Sequence, residues 1–556
     1  MHSHSFVSDG KNLTPLELVR TARAGTDPAQ APGISVEMSA AAKARVLASR
    51  SIVDAIVARG DLVYGITTGF GAFKDRVIPP DDLAQLQVNL VMSHCVGVGD
   101  PLPTEVVRAM MLCRAHTLSL GFSGISLDTL QLIYDMLNAG IHPLIPTQGS
   151  VGASGDLAPL SHMALAMLGM GDVEWRGQWV PASEALAGAN LRPATLGPKE
   201  GVALSNGTSL MSALLSLALV DSTILCDTAD VVGAMSLEAL QGVPAALDPR
   251  IHAARGHLGQ ITSAANIRSL IQGSMLLWGR PAWDDRRGTT DDQPLPSSAV
   301  GSPSSLLDTL RLGKVQDPYS LRCMPQVHGP ARDASSYVQG VLSIELNSAN
   351  DNPLIFGENG ATDDAPYSVL SGGNFHGAPL SVAADFLGIA LCGLANISER
   401  RQALLVDTKA NGGLLPPFLT LHGGVNSGFM MAQYTSASLA SENKSLAHPA
   451  SVDTIPTSAN AEDHVSMGPI AARHARAIVT NTARVLAIEA MMAAQALDLR
   501  LQSDPHAVMG AGTRAAYDLV RAHVPFLDKD APMHHYIAAC EQLVLSGQLA
   551  CVISDK

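Results

Sequence analysis

Long aliphatic and alanine-rich stretches at helical spacing constrain this chain more than any other feature. Residues 208–232 and 470–499 carry the longest, and further ones cover 83–91, 104–120, 127–138, 157–168 and 383–401. Few β-rich runs compete with them. Apolar residues on the 3.6-residue period, set among strong helix formers, predict α-helices. Helices longer than an ordinary globular one need neighbours to pack along, so an elongated bundle is expected. Of the 556 residues 47% are hydrophobic and 15% charged, enough to bury a large core in one or two big domains.

Several classes of function are disfavoured. The most apolar stretch, 210–232, is interrupted by Ser212, Ser216, Asp221, Asp227 and Asp230, and hydrocarbon tolerates such carboxylates poorly. A core helix is expected there, and no membrane partner. The net charge is −14 and no block of Lys or Arg can track a phosphate backbone, so no nucleic-acid partner is expected. Seven scattered cysteines, odd in number and without a C-x-x-C pair, suit buried thiols in a reducing compartment. Met1-His2-Ser3-His4 opens neither a basic n-region nor an apolar h-region, and a cytoplasmic protein is expected. None of the 18 histidines lies in H-E-x-x-H or joins a Cys pair, which argues against a metal site.

The chemistry concentrates at Gly149-Ser150-Val151-Gly152-Ala153-Ser154-Gly155-Asp156, where three glycines in seven positions precede a helical pattern. Such glycine density marks a tight backbone feature at a helix start. Gly152-Ala153-Ser154-Gly155 lacks the second spaced glycine of G-x-S-x-G, and the surrounding pattern is not strand-turn-helix, so a serine hydrolase is rejected.

This segment resembles the signature of the aromatic amino acid ammonia-lyases and histidine ammonia-lyase. The resemblance implies that Ala153-Ser154-Gly155 cyclises autocatalytically to 4-methylidene-imidazol-5-one (MIO), with no external cofactor. The Gly155 nitrogen attacks the Ala153 carbonyl, unhindered by a Cβ, and Ser154 loses its hydroxyl. Further motifs recur in family order between about Asp61 and Leu499. Tyr64-Gly65-Ile66-Thr67-Thr68-Gly69-Phe70-Gly71 puts the family's catalytic tyrosine on Tyr64, a general base whose phenol, ordinarily near pKa 10, needs neighbours favouring the phenolate. Ser93-His94 resembles the pair that histidine ammonia-lyases place against the substrate imidazole, so His94 is the specificity residue.

Asn206 lies in Ser205-Asn206-Gly207-Thr208, and Gln316-Asp317-Pro318-Tyr319-Ser320-Leu321-Arg322 matches the carboxylate-binding segment. The Arg322 guanidinium suits a planar carboxylate, with Asn206, Gln316 and Tyr319 as neutral polar contacts and Tyr319 among the catalytic residues. Phe375 takes the place of a ring beside the prosthetic group, Glu462 that of an essential acid/base or amine contact, and Met430 that of a shape residue found in the histidine enzymes. Glu442 in Ser441-Glu442-Asn443-Lys444 reads as a charged helix turn.

The resemblance implies an all-α fold with a long central up-down helical bundle and a smaller N-terminal region that bears the tripeptide. It implies a homotetramer whose sites draw on several subunits, and an ammonia-lyase that converts L-histidine to trans-urocanate. Open alternatives are a tyrosine or phenylalanine ammonia-lyase or 2,3-aminomutase, and a catalytically silent helical homologue. Met324, His328 and Ala461 depart from the histidine enzymes' pattern and bear on substrate choice. Consecutive regions 1–225, 226–502 and 503–556 are expected, with 279–305, containing Asp284-Asp285-Arg286-Arg287, as a flexible surface insertion. Residues 357–368, rich in Gly and Asp, read as a turn or hairpin.

Overall fold

The computed structural model describes residues 4–24, 34–69, 76–278, 315–357 and 368–553. The expected insertion 279–305 lies outside the described residues. The fold is all-α. Helices begin where side chains satisfy the free N–H groups of the first turn: Ser39 Oγ accepts from Ala42 at the start of Ala40–Arg59, and Ser126 does the same for Leu127–Asn138. Gly60, at φ 72°, ends the former in the left-handed conformation that glycine adopts most cheaply.

Two compact units form. One comprises Met1–Val220, Ser336–Gly388 and Ala447–Arg476, the other Asp221–Ser335, Ile389–Leu446 and Ala477–Lys556. Four of the five divisions fall inside the helices Ser209–Ala239, Met324–Glu345, Ala378–Val406 and Gly468–Ser503, and the fifth at the end of Met430–Leu446, so sequence order and spatial grouping differ.

In the first unit, Leu83–His94, Leu157–Met167 and Glu200–Ser205 pack on one another, and Thr104–Leu118 packs against Pro15–Arg23 and Leu127–Asn138. Short strands trim these helices. His4–Ser8 pairs in parallel with Ile34–Met38, and Ile141–Pro143, Asp172–Trp175 and Gln178–Pro181 form an antiparallel sheet. Leu354–Phe356 pairs antiparallel with Ser368–Leu370, so the strands flanking the polar excursion at 357–368 meet. For the site, the pairing that matters joins Val98–Pro101 to Pro146–Gln148.

The second unit buries ions in pairs, as a low-dielectric interior requires. Asp230 accepts from His328 Nδ1 at 2.7 Å, from Asn266 at 3.0 Å and from Arg332 at 2.5 Å, while Arg332 also reaches Asp227 at 2.8 Å. Burial opposes ionisation of Asp230, yet these donors hold it below the usual carboxylate range, and burial lowers the tendency of His328 to protonate. His328, which departs from the family pattern, therefore serves as a core donor. Arg401 and Glu489 are fully buried and doubly bonded at 2.5 and 2.8 Å, with Ser236 Oγ adding a donor to Glu489 at 2.7 Å.

Among the described residues, three helices are long and apolar enough to cross a membrane by length and composition. The apolar windows of Ser209–Ala239 and Gly468–Ser503 are each 83% buried inside the protein and that of Ala378–Val406 61%, which fits the expectation of a core helix at 210–232. All seven cysteines are free, with Cys113, Cys226 and Cys540 buried and Cys551 exposed.

Candidate active site

The Ala153-Ser154-Gly155 tripeptide is held from two sides. On one, Gly207 N–H donates to the Ser154 carbonyl at 3.2 Å and the Gly207 carbonyl accepts from Asp156 N–H at 2.6 Å. On the other, Met467 N–H donates to the Val151 carbonyl at 2.9 Å, and Ser466 Oγ donates to the Gly152 carbonyl at 3.0 Å. Within the loop, Ser150 Oγ accepts from Gly152 N–H and donates to the Gly155 carbonyl, both at 3.2 Å. Gly155 sits at φ 74°, and a Cβ there would lie 2.1 Å from the Gly207 carbonyl oxygen, so no other residue fits. Among the described residues the Gly155 N–H has no hydrogen-bond partner.

Behind Gly207 lies a buried polar cluster. Arg114 donates to the Ala203 carbonyl and, at 3.2 Å, to Asn350 Oδ1, while Lys199 Nζ meets Asp351 at 2.7 Å. Asn206 Nδ2 donates to Asp351 Oδ1 at 3.1 Å and to the Asn352 carbonyl at 3.3 Å. Asn350 Nδ2 donates to Thr208 Oγ1 at 2.9 Å, and Thr208 in turn bonds Glu345. Burial lowers Arg114 to about 10 and also lowers Lys199. A Cβ on Gly207, whose φ is 143°, would stand 2.5 Å from Arg114 Nη1 and 2.9 Å from Asn350 Oδ1. Gly207→Ala is therefore expected to destabilise this unit by at least about 1 kcal/mol, read as a lowered thermal midpoint.

Asp156 spans the same region: its Oδ2 accepts from Leu210 N–H at 2.7 Å and Met211 N–H at 3.1 Å, capping Ser209–Ala239 from fifty residues away. Burial outweighs those donors and pushes its carboxyl up to about 7.

Glu462 is delivered by a tight turn in which Ser458, Ala459 and Asn460 hold φ of 52°, 52° and 67°, a conformation that costs free energy for residues other than glycine. Reciprocal Thr457–Glu462 backbone bonds close the turn, and Thr457 Oγ1 donates to Glu462 Oε2 at 2.7 Å. The other carboxylate oxygen accepts from Ser154 Oγ at 3.3 Å, bringing two candidate catalytic residues 308 positions apart into contact. Phe375, half-buried, stands next to His376, whose Nε2 donates to the His464 carbonyl at 3.2 Å and whose ring stacks on that of His464.

Tyr64 is half-buried in a turn whose core is Ile66 packed on Val53, Ile56 and Ile355. Phe70 and Gly71 of its motif lie outside the described residues. His94 closes the helix Leu83–His94, and its Nδ1 shares a 3.0 Å hydrogen bond with Ser93 Oγ. Among the described residues no hydrogen bond joins Tyr64, His94 or Phe375 to the tripeptide.

Gln316, Tyr319, Arg322 and Met430 belong to the second unit. Arg322 lies over the Tyr319 ring at 4.7 Å and its Nε donates to the Asp317 carbonyl at 3.2 Å; Gln316 is exposed and Tyr319 72% exposed. Met430 opens Met430–Leu446, half-buried, and Glu442 on that helix is exposed, as a charged helix turn would be. Glu238, Gln241 and Trp278 carry no motif, yet Gln241 and Trp278 line a cavity of about 590 Å³ with Gln316, Pro318 and Leu321.

Sequence reading assigned no role to Asp156, Gly207, Thr457 or Ser466, although all four secure the tripeptide or Glu462. Their residue types are ordinary for caps and turns, and their partners lie far away in sequence, so only the glycines flag close approach.

The sequence profile of the Aromatic amino acid lyase family matches residues 13–522. A histidine ammonia-lyase of Chloroflexus aurantiacus is 47% identical over 552 residues, 99% of this chain and 98% of that protein. Among solved structures, the histidine ammonia-lyase from Trypanosoma cruzi matches with a TM-score of 0.84 at 38% identity, covering 99% of this chain and 95% of that one. The tyrosine aminomutase from Streptomyces globisporus matches with a TM-score of 0.86 at 34% identity, covering 99% and 98%. With near-complete coverage at this identity, the chain belongs to the aromatic amino acid lyase family.

Proposed function

We propose that this chain is an MIO-dependent histidine ammonia-lyase, eliminating ammonia from L-histidine to give trans-urocanate. The observation that carries the reading is the tripeptide itself: a glycine nitrogen without a partner among the described residues, beside a serine whose hydroxyl touches Glu462, inside a backbone clamped on both sides. These residues fit ring closure, with the Gly155 nitrogen bonding to the Ala153 carbonyl carbon and two waters leaving, one of them with the Ser154 hydroxyl. The resulting MIO supplies an electrophile that no standard side chain offers.

The chain's own groups take the remaining roles. Arg322 holds the substrate carboxylate through paired N–H donors, with Gln316, Tyr319 and Asn206 as polar contacts. Tyr64 removes a β-proton as general base. Glu462, already within reach of Ser154 Oγ, contacts the amine and exchanges its proton, while Phe375 and Met430 shape the pocket. His94 presents its ring to the substrate imidazole, its Nδ1 engaged by Ser93. The family reading carries with it a cytoplasmic homotetramer, and the exposure of Tyr319 and Gln316 is compatible with a second copy covering them.

Purified protein given L-histidine, L-tyrosine and L-phenylalanine is expected to release urocanate far faster than coumarate, cinnamate or any β-amino acid. Release of a β-amino acid as main product would instead make it an aminomutase, as the tyrosine aminomutase relative is named. His94→Leu is expected to lower kcat/KM for histidine by about 10- to 100-fold, as loss of a polar contact to a buried polar group does. Turnover of an apolar-ring substrate should change much less, and equal losses on both would remove His94 from the specificity role.

A further inference from the structure

The turn that follows His94 is bound to the tripeptide's own segment at three places. Val98–Pro101 pairs with Pro146–Gln148, which runs directly into Gly149. A Cβ on Gly149 would meet Gly97 Cα at 3.1 Å, so the two backbones touch. Third, Gly97 N–H donates to Nε2 of His162 at 3.2 Å, and His162 belongs to Leu157–Met167, the helix that begins just past the tripeptide. The first two contacts are between backbones; the third depends on a side chain.

We propose that His162 is a positioning residue for the substrate side chain: by accepting from Gly97 N–H it fixes the turn at 94–97, and so the place of His94 relative to Ser154. The inference rests on the reading in which His94 faces the substrate imidazole. His162 itself touches no reacting atom.

The geometry leaves this role to His162. Within the turn, Cys95 Sγ donates to Val91 within its own helix at 3.1 Å, and Val96 N–H turns back to His94 at 2.9 Å. Among the described residues no other side chain from outside that helix bonds the backbone of 95–97. A Cβ on Gly97 would meet His162 Nε2 at 3.1 Å and Pro146 at 3.2 Å, so the backbone is seated on the imidazole edge. An acceptor Nε2 requires the neutral ring, and burial lowers the tendency of His162 to protonate. The tripeptide's own clamps, Gly207, Ser466 and Ser150, are separate from this bond, so removing it disturbs the specificity turn and spares ring closure. A displacement of about 1 Å at a positioning group is enough to weaken productive binding.

The test uses the full-length enzyme with His162→Phe, which keeps a ring and removes the acceptor, and His162→Gln, whose amide oxygen can accept. Both are expected to fold and to show the two-water loss in the peptide containing Ser154, by mass spectrometry. His162→Phe should raise KM for L-histidine about 5- to 10-fold, with kcat changed less than about 3-fold. His162→Gln should stay within about 2-fold of wild type in both. An unchanged KM in His162→Phe, a fall in kcat alone, equal defects in both variants, or loss of the two-water signature would each overturn the inference. Failure of the wild-type enzyme to form urocanate would overturn the histidine reading instead. The same KM comparison on whichever of tyrosine or phenylalanine the wild type converts would then decide His162 separately.

Discussion

Ser154→Ala is expected to fold normally and to lose turnover by at least about 10³-fold. The two halves of that expectation have different physical sources. Ser154 is half-buried and among the described residues its hydroxyl makes one hydrogen bond, 3.3 Å to Glu462, so removing it costs about 1 kcal/mol at most. The backbone around it is secured by Gly207, Ser466 and Met467 through main-chain atoms that the substitution leaves in place. Chemistry depends on the hydroxyl for another reason. Without it the tripeptide has no oxygen to lose from the central side chain, and no methylidene forms. Intact-mass measurement reads this directly: the wild type is expected to be lighter than its sequence by two waters, and the variant to lack the serine-derived loss. Activity within about 10-fold of wild type in the variant would show that the lyase chemistry originates elsewhere.

Most helices were legible from local pattern alone. Residues 127–138 were bounded as the structure has them, and 157–168 ends one residue sooner. The stretch read as 208–232 continues to Ala239 because it runs through Gly233, which pattern reading treats as a weak helix former. A Cβ on Gly233 would lie 2.7 Å from Met324 Sδ, so close packing demands glycine there, and only tertiary context reveals it. The short strands at 98–101, 141–143 and 146–148 escaped because three or four residues cannot establish a period of two.

At the candidate site, sequence reading named candidates for the chemistry and left out the residues that hold them in place. Tyr64, Ser154, Asn206 and Glu462 stand in recognisable motifs. Asp156 caps a helix fifty residues on, and Arg114 presses on a glycine ninety-three positions away, relations that no local spacing encodes. His328 shows the converse. Its departure from the family pattern suggested an altered pocket, whereas its partner Asp230 places it in a buried ion cluster. A change of residue type reads as a change of function until its partner is known.

Arg401→Met is expected to destabilise the folded protein by about 3–5 kcal/mol, because it leaves Glu489 buried without its cation. Both side chains have no exposed surface, and Glu489 takes two bonds from Arg401 and one from Ser236. Ser236 alone cannot replace a guanidinium, so the carboxylate must either remain charged in a low-dielectric interior or take up a proton. Removing the charge on both sides avoids that choice. The double variant Arg401→Met, Glu489→Met should recover most of the loss, and urea unfolding of the single and double variants measures the difference as a coupling energy. The pair also touches the segment proposed to hold the substrate carboxylate. Arg401 Nη1 donates to the Ser320 carbonyl at 3.5 Å, between Tyr319 and Arg322, so the stable double variant keeps the core and loses that tether. It is expected to bind histidine more weakly while completing ring closure, since the tripeptide's clamps involve neither residue. A double variant with wild-type KM would mean that the Tyr319–Arg322 helix is fixed by Asp317, which accepts from Val243 N–H at 2.6 Å, and owes its geometry to the loop before it.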